Sequence, residues 1–505
     1  MAYNKKAAED YAAKNNIPAF KGVFANSPQL EDITTKQKRK LKPSLEDVIK
    51  SSGLKNGGTI SFHHAFREGD KVVLQVVKKL AEMGFKDLTI APSSLLNCHD
   101  GLLEFIKSGV IAKIFTSGLR GELGEAISKG IMNTPVQIHS HGGRVHLIQT
   151  GEISIDVAFL GVASSDEFGN ANGSHGELSC GSLGYAKVDA AYARYVAVLT
   201  QDIVEFPNYP ASLSQDQVDA VVQVDEVGDP SLISVGAARL TKNPRDLLLA
   251  RIAASVIENS GYFKAGFSLQ TGSGGAATAT TIFLGEKMIE KNIKASFALG
   301  GVTGSIVDLL KKGMIEAIAD VQSFDVDAAQ SLRDNPAHTE ISANEYANPS
   351  SKGAYVDRID TVLLSALEVD TDFNVNVLTG SDGVLRGASG GHCDVAAAAN
   401  LTVIVTPLLR ARMPCIVDCV NTVVTPGKTV DVVVTDHGIA VNPNNVDLKK
   451  RLVDARLPVT TIEELQKKAI LLAGKPDPIQ YTDKVVAVVR YRDGSVMDIV
   501  RQVAS

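Results

Sequence analysis

Two glycine-rich loops and two histidine–arginine clusters hold the residues best placed to do chemistry in this chain. The first loop is Leu269-Gln270-Thr271-Gly272-Ser273-Gly274-Gly275, between an apolar run, 264–269, and a helical-looking run, 276–291. A strand that ends in glycines and turns into a helix points backbone N–H groups outward. Such a site suits a phosphate or a developing negative charge, and a tight turn serving only the fold is the competing reading. Gly272, Gly274 and Ala277 fit a relaxed dinucleotide pattern, which requires an acid at the end of the following strand to hold the ribose hydroxyls. The next apolar run, Ala295-Ser296-Phe297-Ala298-Leu299, continues into Gly300-Gly301-Val302-Thr303-Gly304 without one. No Gly-Lys-Ser/Thr follows the loop, so a nicotinamide site and a P-loop are both excluded. The second loop, Gly380-Ser381-Asp382-Gly383-Val384-Leu385-Arg386-Gly387-Ala388-Ser389-Gly390-Gly391, leads into an alanine-rich helical stretch and a strand-like run, Leu401 to Thr406. Two strand-end loops of this kind converge readily at one edge of an α/β sheet, where ligands bind.

In the first half, Ser61-Phe62-His63-His64-Ala65-Phe66-Arg67 stands at a strand end, and His139-Ser140-His141-Gly142-Gly143-Arg144-Val145-His146 repeats the theme. An arginine fork engages a carboxylate with two hydrogen bonds, and histidines add donors. Together the stretches supply what is needed to hold a polyanionic small molecule; a capped helix start with surface histidines is the plainer alternative. No acid stands between the histidines of either stretch, so no metal is expected. Asn97-Cys98-His99-Asp100 either faces the same crevice or caps a helix.

The 505 residues are enough for two or three domains. Aromatics are only 5% and tryptophan is absent, which disfavours stacking on single-stranded nucleic acid. A formal charge of −6 is small for this length and calls for neither nucleic acid nor an anionic membrane. Five scattered cysteines form no disulfide framework and no CxxC pair; Cys415 and Cys419 are expected to be buried. The polar start of the chain is not a secretory signal, and no run of about 18 apolar residues is present, so a cytoplasmic location without a membrane span is expected. Lys36, Lys38, Arg39, Lys40 and Lys42 form a basic cluster, read as a solvated face or a docking surface.

Short apolar runs alternate with helical ones from 59 to about 205: Thr59–His63, Leu88–Ala91, Ala112–Thr116, Val136–His139, Val157–Val162 and Tyr195–Leu199 as strands, with helices such as Lys71–Met83 between. A proline-rich and acidic stretch, 209–230, marks a boundary, after which the alternation resumes with strands that include Cys415–Val420. Arg492-Asp493-Gly494-Ser495 reads as the turn of a terminal hairpin. The expected fold is therefore α/β, with two tandem domains, each a mostly parallel open sheet with helices on both faces. The expected division is a polar extension over 1–56, a first domain over 57–225, and a second over 226–505 carrying the hairpin.

At this point the chain resembles the citrate lyase alpha-subunit family, the citrate:acyl-carrier-protein transferases. The resemblance is carried by Ser61–Arg67, Ser140–Arg144, Ser268–Gly275, Gly387-Ala388-Ser389-Gly390-Gly391-His392-Cys393-Asp394 and Val432-Val433-Val434-Thr435-Asp436-His437-Gly438-Ile439-Ala440, in that order along nearly the whole chain. The last two stretches are also similar to the wider group of coenzyme A transferases and acyl-CoA hydrolases. The resemblance implies two coenzyme A transferase-like domains and a homo-oligomer within a complex that contains a citryl-lyase (beta) subunit and an acyl carrier protein (gamma). The carrier's arm would derive from dephospho-coenzyme A, with no cofactor bound covalently to this chain. The reaction would exchange acetyl for citryl on that thioester, or on a coenzyme A thioester, and release acetate. Many coenzyme A transferases carry a covalent glutamate at a position corresponding to Leu299 or a neighbour; residues 295–303 contain no acid, so direct exchange without a glutamyl intermediate is expected. On this reading Gly272, Gly274 and Gly275 donate to the thioester oxyanion. His63, His64, Arg67, Asn97, Arg144 and Arg386 bind the carboxylate substrate, and Gly387, Gly390 and Gly391 face the thioester. An acyl-CoA hydrolase, or a non-catalytic scaffold that binds citrate or coenzyme A, is the alternative.

Overall fold

In the computed structural model of the chain, residues 10, 12–16, 39–234, 241–272 and 274–504 are described. Residues 1–40 form one unit and 41–505 another. In the first, 12–14 make a helical turn. Lys36 and Lys38 of the basic cluster, and Ser273 of the first glycine loop, lie outside the described residues.

Two large sheets dominate the described part of residues 41–505. The strands of the first are β1 (Leu41–Lys42), β2 (Thr59–Ser61), β3 (Leu88–Ile90), β4 (Ile111–Thr116), β5 (Val136–Ile138), β6 (Val157–Gly161), β7 (Val196–Thr200) and β8 (Ala220–Gln223). Those of the second are β9 (Phe267–Thr271), β10 (Ala295–Val302), β11 (Ile315–Ser323), β12 (His338–Glu340), β13 (Thr361–Ser365), β14 (Leu401–Val405), β15 (Val432–Thr435), β16 (Gly438–Val441) and β17 (Val459–Thr460). The terminal hairpin is β18 (Tyr481–Arg490) and β19 (Val496–Val503).

The first sheet runs β1-β8-β7-β6-β2-β3-β4-β5-β18-β19 and the second β12-β11-β10-β9-β13-β14-β15-β16-β17. Neighbours are parallel except β18/β19 and β15/β16. Parallel strands buried on both faces read as unbroken apolar runs, and β6 (Val-Ala-Phe-Leu-Gly) and β7 (Val-Ala-Val-Leu-Thr) are buried at every position. The intervening helices present one apolar stripe. Val72–Glu82 buries Val72, Val73, Val76, Val77 and Leu80, the spacing of a helix packed on a sheet. Two mostly parallel sheets flanked by helices are the architecture expected.

Two expected boundaries and one expected strand need correction. The hairpin does not extend the second half: β18 pairs in parallel with β5, Val488 opposite Gln137, so the chain's end completes the first sheet. Residues 41–52 are likewise no loose extension, because β1 pairs with β8 and helix Leu45–Ser52 buries Leu45, Val48 and Ile49. Cys415–Val420 is not a main-sheet strand; only Ile416–Val417 is extended there, pairing with Glu368–Asp370 in a small separate sheet, and Cys419 is exposed while Cys415 is buried. One apolar core runs from Leu45 through both halves to Val500, so the two sheets pack as one body. No helix among the described residues is long and apolar enough to cross a membrane.

Candidate functional site

The carboxyl ends of the parallel strands in both sheets open onto one cavity of about 430 Å³, the place where open α/β sheets bind ligands. From the first sheet, β2 leads to His64 and Arg67, β3 to Ser94 and Leu96, β4 to Ser117 and Arg120, and β5 to His141. From the second, β9 delivers Gln270, Thr271 and Gly272, β11 delivers Gln322 and Phe324, and the second glycine loop delivers Arg386 to Gly391.

Close backbone approach seals the wall between the halves. Gly118 bridges Ala388, Leu119 N–H donates to Gly387 O (2.9 Å), Ser389 N–H to Ser117 O (2.7 Å), and His141 N–H to Gly390 O (2.8 Å). A Cβ on Gly387 would sit 1.9 Å from Val377 O, so only glycine fits there. Helix His141–Gln149 is held from the other half. Asp394 accepts from Ser140 Oγ (2.8 Å) and Gly142 N (2.9 Å), and Ser140 Oγ caps Gly143 N (2.9 Å). Burial pushes the Asp394 carboxyl up to about 6.

Inside, the His64 and His141 rings stack with centroids 5.7 Å apart, and the Tyr185 ring packs 4.9 Å and 4.6 Å from them. Burial, and then neighbouring positive groups, hold His64 well below the usual imidazole range and His141 at about 3, so both rings are neutral at pH 7. Burial raises the Tyr185 and Tyr346 hydroxyls, which stay protonated. Gln270 Nε2 donates to Tyr346 Oη (2.9 Å) and Gln322 Nε2 to His64 O (2.8 Å). Arg67 Nε, Ser117 Oγ, His141 Nδ1, Gln270 Oε1 and Ser389 Oγ are buried in this wall without a protein hydrogen-bond partner. The positive charge comes from Arg67, Arg120, Arg386 and Arg410, and the described lining contains no Asp, Glu, Lys or Cys. Buried polar atoms without partners, in a wall whose formally charged side chains are all arginines, favour an anionic guest.

The structure brings together His64, Arg67, Arg386, Gly272, Gly387, Gly390 and Gly391 of the residues singled out from sequence. Others do not reach the cavity. Arg144 is a correction: its guanidinium donates twice to Asp189 (2.6 and 3.0 Å) and to Ala91 O (2.8 Å), a buried structural ion pair. His63 is turned away, with Nε2 donating to Gly161 O (2.7 Å) and Nδ1 accepting from Ala65 N. Asn97 donates to Glu68 (3.0 Å), and Asp100 accepts from Leu123 N (2.9 Å), so this turn organises a helix start. The Gly272 N–H is committed to Leu363 O (2.9 Å) through sheet pairing, which removes it as an oxyanion donor. Gly274 and Gly275 open helix Gly275–Lys291 and lie outside the lining. Arg386 is at the mouth, exposed and paired with Asp382.

Sequence reasoning did not single out Arg120, Tyr185, Gln270, Gln322, Tyr346 or Arg410, all of which line the cavity. Two of them carried a usable signal: Gln270 lies within the first glycine loop, and Thr116-Ser117-Gly118-Leu119-Arg120 ends a strand as the histidine stretches do.

The family model of the citrate lyase alpha subunit matches residues 38–503. The chain is 64% identical over 495 residues to the citrate lyase alpha chain of Klebsiella pneumoniae, covering 98% of this chain and 97% of that one. It is 59% identical over 503 residues to that of Escherichia coli K12, covering 99% and 97%. A structure from Streptococcus mutans, described as the alpha subunit of citrate lyase in complex with citrate, superposes with a TM-score of 0.92 at 52% identity over 98% of each chain. A Pseudomonas malonate decarboxylase hetero-tetramer shares the fold at a TM-score of 0.65 and 14% identity, covering 92% of this chain and 89% of that one.

Proposed function

The chain belongs to the citrate lyase alpha-subunit family, the transferase component of a multi-subunit enzyme, and we propose that the cavity between its sheets exchanges acetyl for citryl directly, without a protein nucleophile. The observation that carries this reading is the composition of the wall: four arginines and no carboxylate or thiol among the described lining residues. A citrate carboxylate attacks the acetyl thioester carbonyl, forming a mixed anhydride and releasing the thiolate. The thiolate then attacks the citryl carbonyl and acetate leaves, so atoms and charge balance without a proton donor.

The protein's part is to hold two reactants in line and to stabilise the oxyanion. Arg67 takes a carboxylate from one side of the cavity. The protonated Tyr185 and Tyr346 hydroxyls are neutral donors within the wall, and one well-placed donor lowers such a barrier by about 3 kcal/mol. His64 and His141, both neutral, carry no imidazolium proton to hand to the attacking carboxylate. The second glycine loop faces the thioester, whose arm belongs to an acyl carrier protein and derives from dephospho-coenzyme A; a citryl-lyase subunit consumes the product.

Incubating the complex with a labelled acetyl thioester in the absence of citrate tests the reading. Intact-mass analysis should find no acyl adduct, and acetate should appear only when citrate is added. An acetylated carboxylate, or acetate released without citrate, would overturn direct exchange.

A further inference from the structure

Arg67 and Arg120, both half-buried in the cavity wall, stand in a setting unlike that of the buried Arg144. Arg67 holds a left-handed backbone, φ +52°, where a side chain is strained, and its guanidinium lies 4.6 Å over the Phe324 ring. Arg120 closes the β4 strand end and immediately precedes helix Gly121–Ser128. The turn depends on Gly121, at φ +63°, where a Cβ would come within 2.6 Å of Asp100.

Neither guanidinium makes an ion pair among the described residues, and Arg67 Nε is buried without a hydrogen-bond partner. Glu68 is the acid that most offsets the charge of both. Its carboxylate is already engaged, accepting from Asn97 Nδ2 (3.0 Å) and Cys98 N (3.2 Å). Burial, with Arg120 adding to it, lowers Arg67 to about 10. Arg144 is the internal contrast, because there the fold supplies a complete counterion in Asp189. Two like charges held in one cavity wall, with a single shared acid to offset them, weaken the empty protein. An anion with two carboxylates gives each guanidinium its own two-oxygen partner.

We propose that Arg67 and Arg120 form a clamp for two carboxylates of one acceptor molecule, and that Arg120 is the residue that makes the site prefer a polycarboxylate to a monocarboxylate. This rests on the cavity being the acceptor site. Clamping two carboxylates of a tricarboxylate leaves the third free to attack the thioester.

The test measures citrate and acetate binding by calorimetry to the full chain, R120Q and R120K, together with ligand-free thermal melts. In R120Q the dissociation constant for citrate should rise about 10- to 100-fold, the worth of a charge-assisted hydrogen-bonded pair, while acetate binding changes little. R120K should be intermediate, keeping the charge and losing the fork. Ligand-free R120Q should melt at or above the unmodified chain, since one uncompensated charge is gone. Equal losses for citrate and acetate, undiminished citrate binding, or a lower melting temperature for R120Q would each overturn the clamp. Failure of the unmodified chain to bind citrate would instead remove the reading on which the clamp stands.

Discussion

Gly391 lines the cavity hard against Tyr346, another lining residue, and that makes it the sharpest place to perturb the site. A Cβ built there would lie 2.5 Å from the Tyr346 hydroxyl oxygen and 3.3 Å from its ring. The backbone at Gly391, φ −91° and ψ 12°, is open to alanine, so Gly391→Ala acts through sterics alone. To relieve the contact Tyr346 must shift, which strains its hydrogen bond from Gln270 Nε2. Overpacking of this kind costs about 1–3 kcal/mol. Tyr346→Phe alone forfeits the hydrogen bond and leaves the buried Gln270 amide without an acceptor, about 1–2 kcal/mol.

The double variant removes the atom that collides, and the remaining 3.3 Å contacts need only a few tenths of an ångström of movement. Gly391→Ala should therefore cost little in the Tyr346→Phe background. The cycle should show a favourable coupling of about 1–2 kcal/mol, measured by chemical denaturation of the four proteins. Additive losses would refute the argument, because they would mean that the Tyr346 hydroxyl does not fill the space beside Gly391.

Two other expectations follow from the same geometry. Arg144→Leu should destabilise the fold by about 3–5 kcal/mol, since it strands Asp189 in the interior; a soluble, normally stable variant with only a raised KM for citrate would return Arg144 to the site. Acidification sorts the buried groups by sign. His141 (about 3) and His392 (about 4) are lowered by burial, so their contribution is complete above pH 6.5 and is lost as pH falls towards those values. Asp394 is raised to about 6, so its contribution runs the other way, present below pH 3.8 and lost as pH rises through 6. Thermal melts should fall between pH 6.5 and 4, and fall more steeply in Asp394→Asn, which lacks the opposing carboxyl; an unchanged slope would show that Asp394 is not a raised, titrating group.

Much of this architecture is legible in the sequence. Uninterrupted apolar runs separated by helical stretches identify parallel strands, because only strands covered on both faces can be apolar throughout. The second glycine loop was equally readable, and close packing explains it: Gly118, Gly387 and Gly391 each meet backbone or ring atoms where a Cβ would go. The terminal hairpin was recognised from its turn, but its destination was not, since pairing β18 with β5 is a contact across some 350 residues that no local pattern encodes.

The chain by itself determined which elements form and which strand ends carry polar residues, because periodicity and glycine placement are local properties. Tertiary structure alone decided which of those residues are available for chemistry. Arg67, Arg120 and Arg144 all follow strands of the first sheet, yet only Arg144 finds an acid, Asp189, across the core. The Gly272 amide is free by sequence, but β9 lies beside β13, where its N–H donates to Leu363 O. Availability depends on which partner lies within about 3 Å, and that is settled only when distant segments are packed together.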